Sequence, residues 1–238
     1  MFVPMGIFGH SSRLALATSD VIASVSAWSI LGFTVLATDS DTDPTFARLT
    51  DGQIIVTLMR DSFPSPMLAY FSAAVARVAQ RAHDKGVLVT RVSDTELRAV
   101  GPGGLPIVVH YADSATAIRP TREQNPVIGY HNALVVGVDD VEEARIWAER
   151  AGFLVEVQTG GSIPQIDMTD GISKVAFLGA PQAGIALSYS TDIDEELVQD
   201  ITAEPGIRVT VSRDSAGQAT LIHCVMPEGT RITIAHDD

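Results

Sequence analysis

"DVEEARIWAERAGF" at residues 140–153 has an earlier counterpart in "DVIASVSAWSILGF" at residues 20–33. Asp20 answers to Asp140, Val21 to Val141 and Gly32-Phe33 to Gly152-Phe153, all 120 positions apart. The echo continues: "LTDG" (49–52) meets "MTDG" (168–171) at an offset of 119, "AYFS" (69–72) meets "LSYS" (187–190) at 118, and "GVLVT" (86–90) meets "GIRVT" (206–210) at 120. Order is kept while spacing drifts, which is the mark of an internal duplication with small insertions. Between the copies, "ADSATAIRPTREQNPVIG" (112–129) is polar with two prolines and reads as an exposed connector. Two domains follow, 1–112 and 130–238, joined by a linker over 113–129.

Each half divides again. "RLALAT" alternates as a strand does, "DVIASVSAWSIL" opens on an aspartate and stops at Gly32, and "FTVLATDS", "TFARLTDG" and "QIIVTLM" are three more strands. The same order recurs from "MLAYFS" to "LPIVVHY", from His131 to "KVAFLG", and from Gly184 to "RITIAH". The chain is therefore expected to be α+β, built of four βαβββ modules. Asp20, Asp140 and Asp192 are placed to cap helices, and Glu142, Glu143, Glu195 and Glu196 fall in first turns, where the helix dipole favours negative charge. Capping accounts for "DDVEE" and "DIDEE" without a catalytic carboxylate pair.

Composition bounds the function. The 238 residues are 46% hydrophobic and 19% charged, and no apolar run reaches the ~18 residues of a membrane helix. The start "MFVPMGIFGHSSRLALATSD" has no basic leader and reads as mature sequence, with the cytoplasm as default compartment. The net charge of −13 argues against nucleic acid, because phosphate binding needs a basic footprint. Most of the acidic excess lies beyond residue 120, where 7 basic side chains meet 19 acidic ones, and reads as a solvated surface. A single cysteine, Cys224 in "TLIHCVM", excludes an internal disulfide and reads as a small buried residue. There is no GxSxG, HExxH or P-loop, and "GPGG" (101–104) is a turn.

The quadruple βαβββ pattern, with D-x(11)-GF after an alternating strand and TDG before a fourth strand, resembles the vicinal oxygen chelate superfamily. That group includes glyoxalase I, the extradiol dioxygenases and the bleomycin and fosfomycin resistance proteins. The resemblance covers about residues 11–236 and implies two glyoxalase-like cupped mixed sheets, with helices on the outer face and the ligand in the concavity. It also implies, for the enzymes of the group, a divalent metal held from the first and last strands of paired modules. Those first-strand positions carry Arg13, Met67, Ala133 and Ile185, and the last-strand positions Val108 and Thr233. A hard divalent ion needs about three convergent N or O donors. These positions do not supply them. His131 is the near miss, two residues early on the strand face of Ala133.

Strand alternation instead assigns to the cup Arg13, Ala15 and Ala17, then Met67, Ala69 and Phe71, then His131, Ala133 and Val135, and finally Ile185, Leu187 and Tyr189. With Val108, His110 and Thr233 these form a mainly apolar lining suited to an organic ligand. Arg13 would favour an anionic or planar ligand, with Phe71 and Tyr189 flanking a flat one. Trp28 and Trp147 are expected to pack on their helices. The expected function is metal-free binding of a small organic molecule, by sequestration as the bleomycin-binding relatives do, with no cofactor and no nucleic-acid or membrane partner, in a monomer or homodimer. The alternatives are a metal-dependent lyase or dioxygenase anchored on His131, and a catalytically silent assembly protein.

Overall fold

The computed structural model describes residues 6–113 and 125–237, so positions 114–124 of the expected linker lie outside the described residues. The first module runs β1 (Ser11–Ala17), α1 (Val21–Ile30), β2 (Thr34–Thr38), β3 (Phe46–Thr50), β4 (Ile55–Met59). The second runs β5 (Met67–Ser72), α2 (Val75–Asp84), β6 (Thr90–Arg91), β7 (Glu96–Val100), β8 (Pro106–Tyr111). In the third are β9 (Tyr130–Gly137), α3 (Val141–Arg150), β10 (Leu154–Thr159), β11 (Gln165–Thr169), β12 (Lys174–Leu178). The fourth holds β13 (Ile185–Thr191), α4 (Glu195–Ala203), β14 (Arg208–Arg213), β15 (Ala219–Val225), β16 (Arg231–His236). All four βαβββ modules are present.

The helix starts follow from local chemistry. Asp20 accepts from the Ala23 amide at 3.0 Å, and Asp140 from those of Glu142 and Glu143 at 2.8 and 3.0 Å. In the fourth module the cap is Asp194, which accepts from Leu197 N at 2.8 Å, and not the expected Asp192. The later start puts Glu195 and Glu196 at the first two helical positions, where the dipole is strongest. Helix α2 has no side-chain cap and carries Arg81 and His83 in its last turn instead. Gly32 and Gly152, at φ of 82° and 90°, take the left-handed backbone that ends α1 and α3.

The strands form two eight-stranded mixed sheets, ordered β2-β3-β4-β1-β5-β8-β7-β6 and β10-β11-β12-β9-β13-β16-β15-β14. Within each module the first and last strands pair in parallel and the others antiparallel, as in Leu14 opposite Val56 and Arg48 opposite Thr57. Close packing divides the chain differently, into two compact units: one joins the second and third modules with the residues up to Arg13, and the other joins the rest of the first module with the fourth.

One face of each module is covered and greasy. In the second module Leu68, Tyr70, Leu97, Ile107 and Val109 are at most 5% exposed and share one side of the strands. Each such side chain contributes about 1.5–3 kcal/mol by leaving water. The repeated TDG turn ties that core. Asp51 Oδ1 accepts from the Gln53 and Ile54 amides, both at 2.8 Å, and its Oδ2 accepts from the hydroxyl of Tyr189 at 2.6 Å. Asp170 does the same with Ile172 N, Ser173 N and Tyr70 OH, at 2.9, 2.7 and 2.7 Å. Each aspartate thus closes its own turn and anchors a tyrosine of its own compact unit. Burial pushes both tyrosine hydroxyls well above their usual pKa, with the neighbouring aspartate adding to the effect. Burial also raises Asp170.

Candidate functional site

The other face of the strands is part-exposed at Met67, Phe71 and His110, whereas Ala69 and the expected ligand residue Val108, at 5% and 1%, are as buried as the covered side. In the second module Met67, Ala69 and Phe71 alternate against the covered Leu68 and Tyr70, and β8 and β7 continue the same face with Val108, His110, Glu96 and Arg98. Register aligns them: Phe71 lies opposite His110, and His110 opposite Glu96. Arg13 places its guanidinium carbon 4.4 Å from the centre of the Phe71 ring, a cation–π contact. Phe71 and His110 have ring centres 6.0 Å apart. His110 Nδ1 is 3.8 Å from one oxygen of Glu96, whose other oxygen accepts from Arg98 Nε at 2.7 Å. Partial burial holds the His110 pKa below its usual value, with Arg98 acting in the same direction and Glu96 against it. Five of the residues expected to bind a ligand, Arg13, Met67, Phe71, Val108 and His110, are thereby brought to one face within one compact unit. Glu96 completes the row and was not singled out from sequence. Its signal was its place at the start of a strand whose Leu97 and Ala99 point the other way.

The fourth module corrects a register. Tyr189 is fully buried and bonded to Asp51, so it belongs to the covered face and not to the ligand face. Ala186, Ser188 and Ser190 take the open side. Ser188 lies opposite Thr233, as Ala69 lies opposite Val108, which sets the true offset at 119 where "AYFS" and "LSYS" had suggested 118. A one-residue slip reverses every side chain of a strand. Ile185 and Leu187 leave the expected lining for the same reason, and the position matching Met67 is Ala186. Thr233 remains on the open side, 3.1 Å from His223 Nδ1. His131 is drawn toward the core, its ring edge-on to Tyr189 at 5.2 Å between centres. Its amide donates to Gln53 Oε1 at 3.0 Å.

No family model matches the sequence, and no curated protein matches it. Solved structures do. A catechol 2,3-dioxygenase superposes with a TM-score of 0.58 at 18% identity, over 100% of this chain and 89% of that one. The fold is that of the extradiol dioxygenases. An extradiol ring-cleaving dioxygenase from B. fuscum gives a TM-score of 0.63 at 15% identity over 100% of this chain and 74% of its own, and homoprotocatechuate 2,3-dioxygenase from Arthrobacter globiformis gives 0.62 at 16%, over 100% and 82%.

The residues present do not fit the divalent metal that the extradiol dioxygenase fold implies. Arg13 is a permanent cation, Met67 offers a soft thioether, and Ala133, Ala186 and Val108 have no donor, leaving the hydroxyl of Thr233 and that of Thr57 at the matching place in the first module. Among the described residues no three His, Cys, Asp or Glu side chains converge as a metal site would require. Cys224 is buried, and desolvation pushes its thiol up to about 12, so it supplies no thiolate at neutral pH. No helix among the described residues is long and apolar enough to cross a membrane.

Proposed function

We propose that this chain binds a small, flat organic molecule on the open face of its second module without a resident metal, and holds it rather than transforming it. The observation that carries this reading is the guanidinium of Arg13 laid over Phe71. The pair is a cation–π stack, the guanidinium over the ring, beside the part-buried Met67. A planar ligand that extends the stack gains cation–π and stacking energy from the guanidinium, and oxygen substituents can take a hydrogen bond from His110, whose pKa burial holds below its usual value. A soluble, membrane-independent protein without nucleic-acid partners fits the same composition and charge.

Two measurements test the reading. Protein purified without chelator is expected to hold well under one equivalent of Fe, Mn, Ni or Zn by elemental analysis. One tightly held equivalent, lost in His131→Ala, would establish the metal-dependent alternative. A thermal-shift screen of aromatic metabolites and antibiotics is expected to find stabilisers, since a ligand at 100 times its Kd adds about 2.7 kcal/mol to native stability. The effect of those that stack on the Arg13–Phe71 pair should vanish in Phe71→Ser. A broad screen with no stabiliser would favour an assembly role.

A further inference from the structure

The first module has an open face of its own, and on it the Nε of one cation has no hydrogen-bond partner among the described residues. Arg48 of β3 stands opposite Thr57 of β4, and the two share the side of the sheet opposite the covered Ala47, Leu49, Val56 and Leu58. The Nε of Arg48 and the Oγ1 of Thr57 are both buried, and neither has a hydrogen-bond partner among the described residues. Desolvation is the one influence on this guanidinium, and it depresses the pKa. Arg60, Arg145 and Arg213, by contrast, each lie against a carboxylate that raises theirs. A buried donor left unmade costs about 1–3 kcal/mol, more when it is charged. Folding leaves two such donors side by side on one strand pair. The next pair along the same face is Phe46 opposite Met59, both part-buried, and Thr57 is flanked on β1 by Ala15.

We propose that Arg48 and Thr57 form a subsite for the carboxylate of an organic anion whose apolar body lies against Phe46 and Met59. Arg48 Nε–H and the Thr57 hydroxyl both donate to the carboxylate oxygens. One cation and one neutral donor match the single charge of a carboxylate; a phosphate dianion would ask for a second cation. The subsite stands on the first module alone and does not depend on the Arg13–Phe71 platform.

The test uses benzoate as probe and benzamide as its uncharged isostere, titrated by calorimetry into the full chain. Benzoate is expected to bind and benzamide to bind at least about tenfold more weakly, the loss of one charge-assisted contact. In a Phe71→Ser background, which removes the Arg13–Phe71 stack as a second place for a flat anion, Arg48→Met should weaken benzoate by about tenfold or more and Thr57→Val by less. In the wild-type protein the Arg48 Nε–Hε resonance, assigned by its disappearance in Arg48→Met, should shift on titration. Because the free protein gains nothing from this guanidinium, Arg48→Met should unfold at the same urea concentration as wild type or a higher one. Any of four results overturns the proposal: no benzoate binding up to millimolar concentration, equal affinity for benzamide, loss of all benzoate binding in Phe71→Ser, or a lower urea midpoint in Arg48→Met with benzoate affinity retained.

Discussion

The second and fourth modules are alike on one side of their strands and different on the other. Across the covered side the rows run Tyr70–Val109–Leu97 and Tyr189–Ile234–Ile222, then Leu68–Ile107–Ala99 and Leu187–Ile232–Cys224. Across the open side they run Phe71–His110–Glu96 against Ser190–Ala235–Leu221, and Ala69–Val108–Arg98 against Ser188–Thr233–His223. The covered rows must fill a closed space around a tyrosine that donates to a buried aspartate, so volume and hydrogen bonding fix them. In the open rows only Ala69 and Val108 are comparably buried. Where the two modules part company, ligand recognition has room to reside, and the second module is the one that put an aromatic ring, an imidazole and a carboxylate in line.

The covered pairs offer the largest effects. Asp170→Ala removes two turn amides' acceptor and leaves Tyr70 OH buried and unbonded, and Asp51→Ala does the same to Tyr189. Each is expected to cost about 3 kcal/mol or more, read from the urea midpoint at unchanged slope. Near-equal losses would confirm that the two compact units rest on equivalent anchors. A loss under about 1 kcal/mol in one of them would break the comparison at its strongest point. Next in size is Cys224, which stands where the second module has Ala99. Cys224→Ala should cost about 1 kcal/mol for the volume removed. The native thiol, with its pKa pushed up to about 12, should resist alkylation at pH 8 until denaturant opens the fold.

On the open side, Phe71→Ser copies Ser190 into the second module. It forfeits the Arg13 contact, about 0.5–1 kcal/mol, and should abolish stabilisation by ligands that stack on the Arg13–Phe71 pair while leaving the fold intact by circular dichroism. A variant that still responds to such ligands would move the platform elsewhere.

Much of this architecture was legible from the sequence because periodicity and capping are local. The four modules, the covered Leu68 and Tyr70, and the caps at Asp20 and Asp140 all follow from residues within a few positions of one another. What failed was what depends on partners far along the chain. Tyr189 looked like a cup residue until its bond to Asp51, 138 positions away, fixed which way β13 faces. Asp192 and Asp194 are equally good caps in isolation, and α4 begins after Asp194. The TDG repeat was visible, but its reason was not: the aspartate is there to hold a tyrosine from another module. Arg48 in "TFARLTDG" carried a usable signal, a cation alternating with buried Ala47 and Leu49, yet that its Nε finds no hydrogen-bond partner among the described residues is a fact of three dimensions.

The smallest effect distinguishes the two open rows by titration. His110 has a native pKa below the usual value of 6.5, chiefly through burial, whereas Ala235 at the matching place in the fourth module cannot titrate. A depressed histidine favours the native state when neutral, so its contribution is present above about pH 6.5 and is lost as pH falls through the native pKa. Wild-type stability relative to His110→Ala should therefore decline as pH is lowered below 6.5, and the difference should be flat from pH 7 to 8. With the side chain 40% exposed, solvent screening keeps the change small, so urea midpoints of the two proteins must be compared at each pH rather than across pH. The opposite slope, with wild type gaining on the variant in acid, would mean that Glu96 outweighs burial and that the row is an ion pair instead of a neutral imidazole ready to meet a ligand.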